Sequence, residues 1–346
     1  MKKTSDNGYF IASPKHDQIV VEKAHFCTWN LPDGLEFLEV GMLVHLGDEF
    51  WKGVKEYQLD PRLEFKVHIP FYEFNSFCGD LFCSLKEPDN ARFVFNDQIK
   101  HTDFISDGGK IPQGVLFSFR EGDQFCLLPL VLEPDYSNQN TVVARVDFPR
   151  RSEDCLKVGN RIYCRFFVQS KSGTIPWERG GIAKTTICYD IKINEPRNAP
   201  TKFPLDQLVA IRSCYCIHVV PSSFECSLQD RVAFKSIRTL ESDGYSDYTK
   251  SFRGIQETIN PGDCLVVFNK LKNTEKPMLP FSFFTLFTKE RIGPSQLTLA
   301  IGTNIICGLL SAWSWIASLV FLALVIAGVY IWHHHRTKIR SVVGLG

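Results

Sequence analysis

From Leu297 to Trp332 the chain runs for 36 residues without Asp, Glu, Lys, Arg or His. A helix that crosses a bilayer needs about 20 apolar residues, so only part of this run has to span. Aromatic residues mark the part. Trp313 and Trp315 stand at one end, Tyr330 and Trp332 at the other. The 19 steps from Trp313 to Trp332 rise ~29 Å at 1.5 Å per residue, close to the thickness of the hydrocarbon layer. Trp and Tyr favour the headgroup levels because each joins an apolar body to a polar tip. The expectation is a single transmembrane helix over 313–332, an interfacial lead-in over 293–312 and a short basic tail over 333–346. Membrane lipid is therefore an expected partner. His333–His335, Arg336, Lys338 and Arg340 in the tail suit contact with anionic headgroups.

Orientation draws two opposed arguments. The tail's cations favour its placement in the cytoplasm. The first thirty residues, however, hold no apolar stretch of the signal-peptide kind; Pro14, Lys15, His16 and Asp17 interrupt them. Moving fourteen tail residues across a membrane is easier than moving some 300 without a leader. The reading adopted is a single-pass, tail-anchored protein with its large N-terminal part in the cytoplasm. Cysteine arithmetic agrees: of 12 Cys, one (Cys307) lies in the uncharged run, which leaves an odd number, and a fully paired disulfide framework needs an even one.

The remainder has ordinary globular composition, with 22% charged and 44% apolar residues. A net charge of +1 offers no bulk attraction to nucleic acid, so none is expected as a partner. Phe is abundant, at 28 residues, and aromatic side chains favour pleated, half-buried surfaces. Short apolar runs recur between Gly, Pro, Asn and Asp. Leu63–Ile69 alternates strictly; Leu35–Leu46 is nearly continuous; Val115–Phe119 and Phe125–Leu132 flank Glu121-Gly122-Asp123, a hairpin loop in prospect. Ala91–Phe95 is read as a further strand after the turn Pro88-Asp89-Asn90. The polar, breaker-rich Glu133–Asn140 is the best boundary. The fold expected is mainly β: two tandem β-sandwich-like domains, 1–135 and 136–292, followed by the C-terminal transmembrane helix.

Signs of chemistry are sparse. The sequence has no Gly-x-Ser-x-Gly, no His-Glu-x-x-His and no Walker glycine loop. Cys214, Cys216 and His218 alternate, so on a strand they share one face. Thiolates and imidazole suit zinc, although ligands two apart on a straight strand splay along it. A buried apolar strand face explains the same pattern. Trp177 and Arg179, in the glycine-flanked Ile175–Gly181, are of the types that anchor protein interfaces. The functional expectation is a membrane-anchored, non-enzymatic binding, sensing or scaffolding protein with a protein partner or self-association at the membrane. The alternatives are a membrane-tethered hydrolase or metal-dependent enzyme, and an exported or virion-surface receptor domain with disulfides.

Overall fold

The computed structural model describes residues 8–31, 35–57, 62–95, 98–106, 112–149, 160–170, 175–180, 184–240, 248, 264–273, 280–290, 294–312 and 315–342. In chain order the elements are β1 (Gly8–Ala12), β2 (Ile19–Asn30), β3 (Glu36–Leu46), α1 (Asp48–Tyr57), β4 (Glu64–His68), β5 (Cys78–Asp80), α2 (Phe82–Leu85), α3 (Pro88–Phe95), β6 (Ile99–Ile105), β7 (Gly114–Phe119), β8 (Gln124–Leu127), β9 (Leu130–Pro134) and β10 (Thr141–Val146). They continue with β11 (Arg161–Ser170), β12 (Trp177–Gly180), β13 (Lys184–Ile193), β14 (Ile211–Pro221), β15 (Glu225–Gln229), β16 (Phe234–Thr239), β17 (Cys264–Lys272), β18 (Phe281–Glu290), α4 (Pro294–Ala312) and α5 (Trp315–Val342). The expected β-rich character is what the chain adopts.

Among the described residues the strands form two large sheets. The smaller runs β15-β18-β13-β1-β4-β10-β9, with β12 beside β13; the larger runs β16-β17-β14-β2-β3-β11-β8-β7-β6, with β5 beside β11. Alternation decides which side chains meet between them. Phe65 and Val67 of β4, Val142 and Ala144 of β10, and Phe281 and Phe283 of β18 turn inward. They pack against Phe26 of β2, Val40 and Met42 of β3, and Phe166 of β11.

The expected division at residue 135 does not hold. In the larger sheet, β2 pairs in parallel with β14 and β3 in antiparallel with β11. In the smaller, β1 pairs with β13. Strands from both sides of the proposed boundary thus alternate within both sheets, and Met1–Arg179 and Thr186–Lys289 belong to one compact unit. The breaker-rich Glu133–Asn140 is the turn of the β9–β10 hairpin, where Val142 faces Pro134. Asp135 organises it by accepting hydrogen bonds from Ser137 N at 2.9 Å and Asn138 Nδ2 at 2.9 Å. Polarity and turn residues mark a hairpin tip as strongly as a linker.

The larger sheet is covered on its second face as well. Phe37, Leu43, Tyr163 and Phe167 on that face pack under Leu81, Phe82 and Leu85 of the α2 segment and Phe117 and Phe125 of β7 and β8. Burial on both faces explains why β3 reads as a continuous apolar run while β4 alternates. Residues 91–95, expected as a strand, form the second half of α3. Pro88 starts it, where a missing N–H costs nothing, and Asp89 lies in the first turn.

The second compact unit comprises Gly180–Thr185 and Glu290–Gly346. Its helix α4 satisfies its own hydroxyls: Thr303 Oγ1 donates to Leu299 O at 2.6 Å and Ser311 Oγ to Gly308 O at 2.7 Å. Along α5, Leu319, Val320, Leu324, Ile326, Val329 and Ile331 are each more than half exposed. Among the described residues no helix is long and apolar enough to cross a membrane. The expected span at 313–332 is therefore unsupported there.

Candidate functional site

The second face of the larger sheet carries a row of charge inside an apolar layer. In β2 the alternation sends His25, Cys27 and Trp29 to this face, and pairing sets Cys27 opposite Glu39 and His25 opposite Gly41 of β3. On the far side of β3, Arg165 of β11 faces Gly41. A Cβ on Gly41 would lie 2.3 Å from Tyr163 Oη and 3.4 Å from Arg165 Cγ. Glycine at 41 thus makes the space in which these two long side chains lie over the sheet.

Glu39 and Arg165 are almost completely buried, at 0% and 3% exposure. Arg165 donates to Glu39 Oε2 from Nε at 2.8 Å and also from Nη2. Its Nη1 donates to Tyr163 Oη at 3.2 Å, which in turn pairs with His25 Nδ1 at 2.9 Å. Tyr248 O–H donates to the same Glu39 oxygen at 2.9 Å. Burial pushes the Glu39 carboxyl up, against the pull of Arg165 and the hydrogen bonds of Arg165, Tyr248 and Trp29. Burial alone lowers Arg165, but Glu39 in front, with Tyr248, Tyr163 and Cys27, more than reverses it. The pair stands as an ion pair whose partners hold each other charged.

Around this pair opens a cleft of about 430 Å³, its open mouth included. Cys27 and Trp29 of β2, Ile217 and Val219 of β14, and Val266 and Phe268 of β17 form its floor. Val94 of α3, Arg238 of β16, Leu240, Arg165 and Tyr248 complete its lining. Arg238 lies over the Phe268 ring at 4.7 Å. The Trp29 and Tyr248 rings are 6.3 Å apart. Burial, then the Glu39 charge, push the Cys27 thiol well up, so it stays protonated at neutral pH. Burial, then Arg165, Lys23 and Lys270, push His25 well down, so it stays neutral. A protonated thiol and a buried neutral imidazole bonded to Tyr163 suit recognition better than nucleophilic attack.

The residues singled out in the sequence fall elsewhere. Cys214, Cys216 and His218 do share one face of β14, but it is the face between the sheets, and all three are fully buried. Cys216 Sγ lies 3.6 Å from His218 Nε2, and His218 Nδ1 pairs with Thr28 Oγ1 at 2.8 Å. The His218 ring stacks on Tyr189 at 4.3 Å. Burial raises both thiols and brings His218 down to about 3. Among the described residues no three His, Cys, Asp or Glu are arranged to hold a metal. The set packs in the core, and zinc, the weaker of the two readings of this pattern, finds no support in its geometry. Among the described residues eleven cysteines carry free thiols, Cys78 and Cys83 among them.

Arg179 is exposed on β12, a strand beside β13. The Trp177 side chain and Trp313 lie outside the described residues. Trp315, Tyr330 and Trp332 are exposed on α5. Sequence reasoning missed Glu39, Arg165, Tyr248 and Arg238. A signal for the first was present: Glu36 and Glu39 interrupt an apolar run, and acidic residues in a strand buried on both faces need buried partners.

No family model matches the chain, and no curated protein matches it. Among solved structures, a candidate protease from Parabacteroides distasonis aligns over 78% of this chain and 40% of its own length, with 9% identity and a TM-score of 0.33. The Fcho1 mu homology domain of Danio rerio with a bound Eps15 peptide aligns over 82% of this chain and 81% of its own, with 7% identity and a TM-score of 0.17. The chain spans well under half of the first of these, and both scores are too low to equate folds.

Proposed function

We propose that this chain is a membrane-anchored, non-enzymatic binding protein whose binding site is the cleft on the second face of its larger sheet. One observation carries the binding role. The sheet face opens at an apolar cleft beside which Glu39 and Arg165 are paired and Cys27 and His25 are held neutral. Such a lining holds a ligand in place without activating it.

The anchor is supported by the 36 uncharged residues of Leu297–Trp332 and by the apolar side chains exposed along α5. In water that surface would be costly; in lipid it contributes favourably. Trp315, Tyr330 and Trp332 are the proposed headgroup-level residues, with the basic tail against anionic lipid. The body is proposed to lie in the cytoplasm, where it meets a protein partner or a second copy on the same membrane. Liposome flotation and alkaline carbonate extraction of the full chain test the anchor. The full chain should float and resist extraction, whereas Leu322→Lys with Val325→Lys should leave it in the aqueous fraction. A native chain that remains aqueous without detergent would sink the anchor.

A further inference from the structure

We infer that α4 crosses the membrane as well as α5, as a helical hairpin surrounded by the hydrocarbon of the bilayer, with the β-rich body and the basic tail on the same side. The inference rests on reading the chain as membrane-anchored with a cytoplasmic body, and it adds a second span.

Charge is the first argument. The stretch from Ile292 to Trp332 holds no charged residue. Cations flank both of its ends: Lys289 and Arg291 before it, Arg336, Lys338 and Arg340 after it. Trp313-Ser314, between the two helices, carries none. Cations close to the ends of a span mark its cytoplasmic side. One span would set the two cationic flanks on opposite sides of the membrane. Two spans set both flanks in the cytoplasm and send only the uncharged joint across. The tail then meets the leaflet that is rich in anionic lipid.

Length is the second. The 19 residues of α4 rise ~28 Å, and Trp315–Trp332 of α5 rises ~27 Å, at 1.5 Å per residue. Each comes close to the ~30 Å of the hydrocarbon layer. α4 ends at Ala312 and α5 begins at Trp315. A joint of that size lies within the roughly 2–5 residues that connect antiparallel helices.

The surface of α4 is the third. A helix that lies flat on a membrane needs one apolar face and one strongly polar or charged face. α4 has no charge, and its described apolar side chains are bare on more than one side. Leu299, Ile301 and Ile305 are each more than half exposed. Leu299 and Ile301 stand two positions apart, which turns them about 200° from each other around the axis. Apolar surface spread around a helix calls for an apolar environment on every side. The hydroxyls of Thr303 and Ser311 donate to carbonyls of their own helix, as hydrocarbon requires. Asn304 carries the one amide among the described side chains of α4, a cost that a neighbouring helix relieves by hydrogen bonding.

The test is protease protection of the full chain, with an epitope appended after Gly346, in sealed endoplasmic-reticulum microsomes. Carbonate extraction of the same microsomes reports on the anchor separately. Protease added outside should remove the epitope together with the body, while carbonate leaves the chain in the membrane. Ile301→Lys with Ile305→Lys places two charges in the middle of α4 and should expel it from lipid. α5 then spans alone, the tail crosses to the lumen, and the protected epitope signal should rise at least fivefold with carbonate resistance retained. A protected epitope in the native chain means one span; it overturns the inference and leaves the anchor. An epitope that stays digestible in a carbonate-resistant double-lysine variant overturns it too, because α4 then does not span. Extraction of the native chain by carbonate sinks the anchor and the hairpin with it.

Discussion

Arg165 and Glu39 lie on adjacent strands of a sheet whose two faces are both covered, so neither charge reaches water. Removing one partner leaves the other buried without compensation, which costs about 3–5 kcal/mol. Glu39→Gln should therefore lower the urea midpoint sharply, and Glu39→Leu combined with Arg165→Met should regain most of the loss. A Glu39→Gln protein as stable as the native one would mean that the pair does not act as a buried unit. Asp80, next to α2, presents a different case. Burial pushes its carboxyl up to about 7, against hydrogen bonds donated by the backbone of Leu130, Phe82 and Leu81. Between the ordinary value of 3.8 and about 7 the folded protein holds a proton that the unfolded chain has released. The contribution of this group is fully present below pH 3.8 and is lost as pH rises through about 7. Asp80→Asn should thus match the native protein at pH 4 and exceed it at pH 8 by on the order of 4 kcal/mol in denaturant titrations. A native-like pH slope in the variant would show that Asp80 does not titrate there.

Among the elements, the β9–β10 hairpin shows how a local signal is misread. Its residues 133–140 carry every mark of a linker, yet they close a turn inside one sheet. Asn140 there adopts φ 61° and donates from Nδ2 to Pro70 O at 3.1 Å and Tyr72 O at 2.6 Å. Asn140→Val should cost roughly 2–3 kcal/mol, from the left-handed backbone and the lost bonds, and Asn140→Gly about 1 kcal/mol, from the bonds alone. Thermal melts of the pair separate the two causes; equal losses would show that the backbone conformation contributes nothing. The α3 segment was misread for a related reason. Ala91–Phe95 is too short for periodicity to separate helix from strand, and Pro88 starts a helix as readily as it marks a turn. Strands with longer patterns were legible: β3 and β4 fall within a few residues of the runs Leu35–Leu46 and Leu63–Ile69.

At the scale of the whole molecule, strands distant in sequence are neighbours in both sheets. Residues 1–135 and 136–292, produced separately, should each lack a cooperative melt by near-ultraviolet circular dichroism, because β2 and β3 would lose β14 and β11. A cooperative transition in either fragment alone would restore the tandem-domain division. The amino-acid sequence by itself determined the β-rich character, most strand positions, the shared face of Cys214, Cys216 and His218, and the uncharged C-terminal run. Those features follow from periodicity and composition, which act over a few residues. Tertiary structure alone decided that the body forms one interleaved pair of sheets, that the Cys and His face turns into the core, and that Glu39, Arg165, Tyr248 and Arg238 meet around one cleft. Pairing between β2, β3, β11 and β14 depends on which faces can be buried together, and no local pattern of residues carries that information.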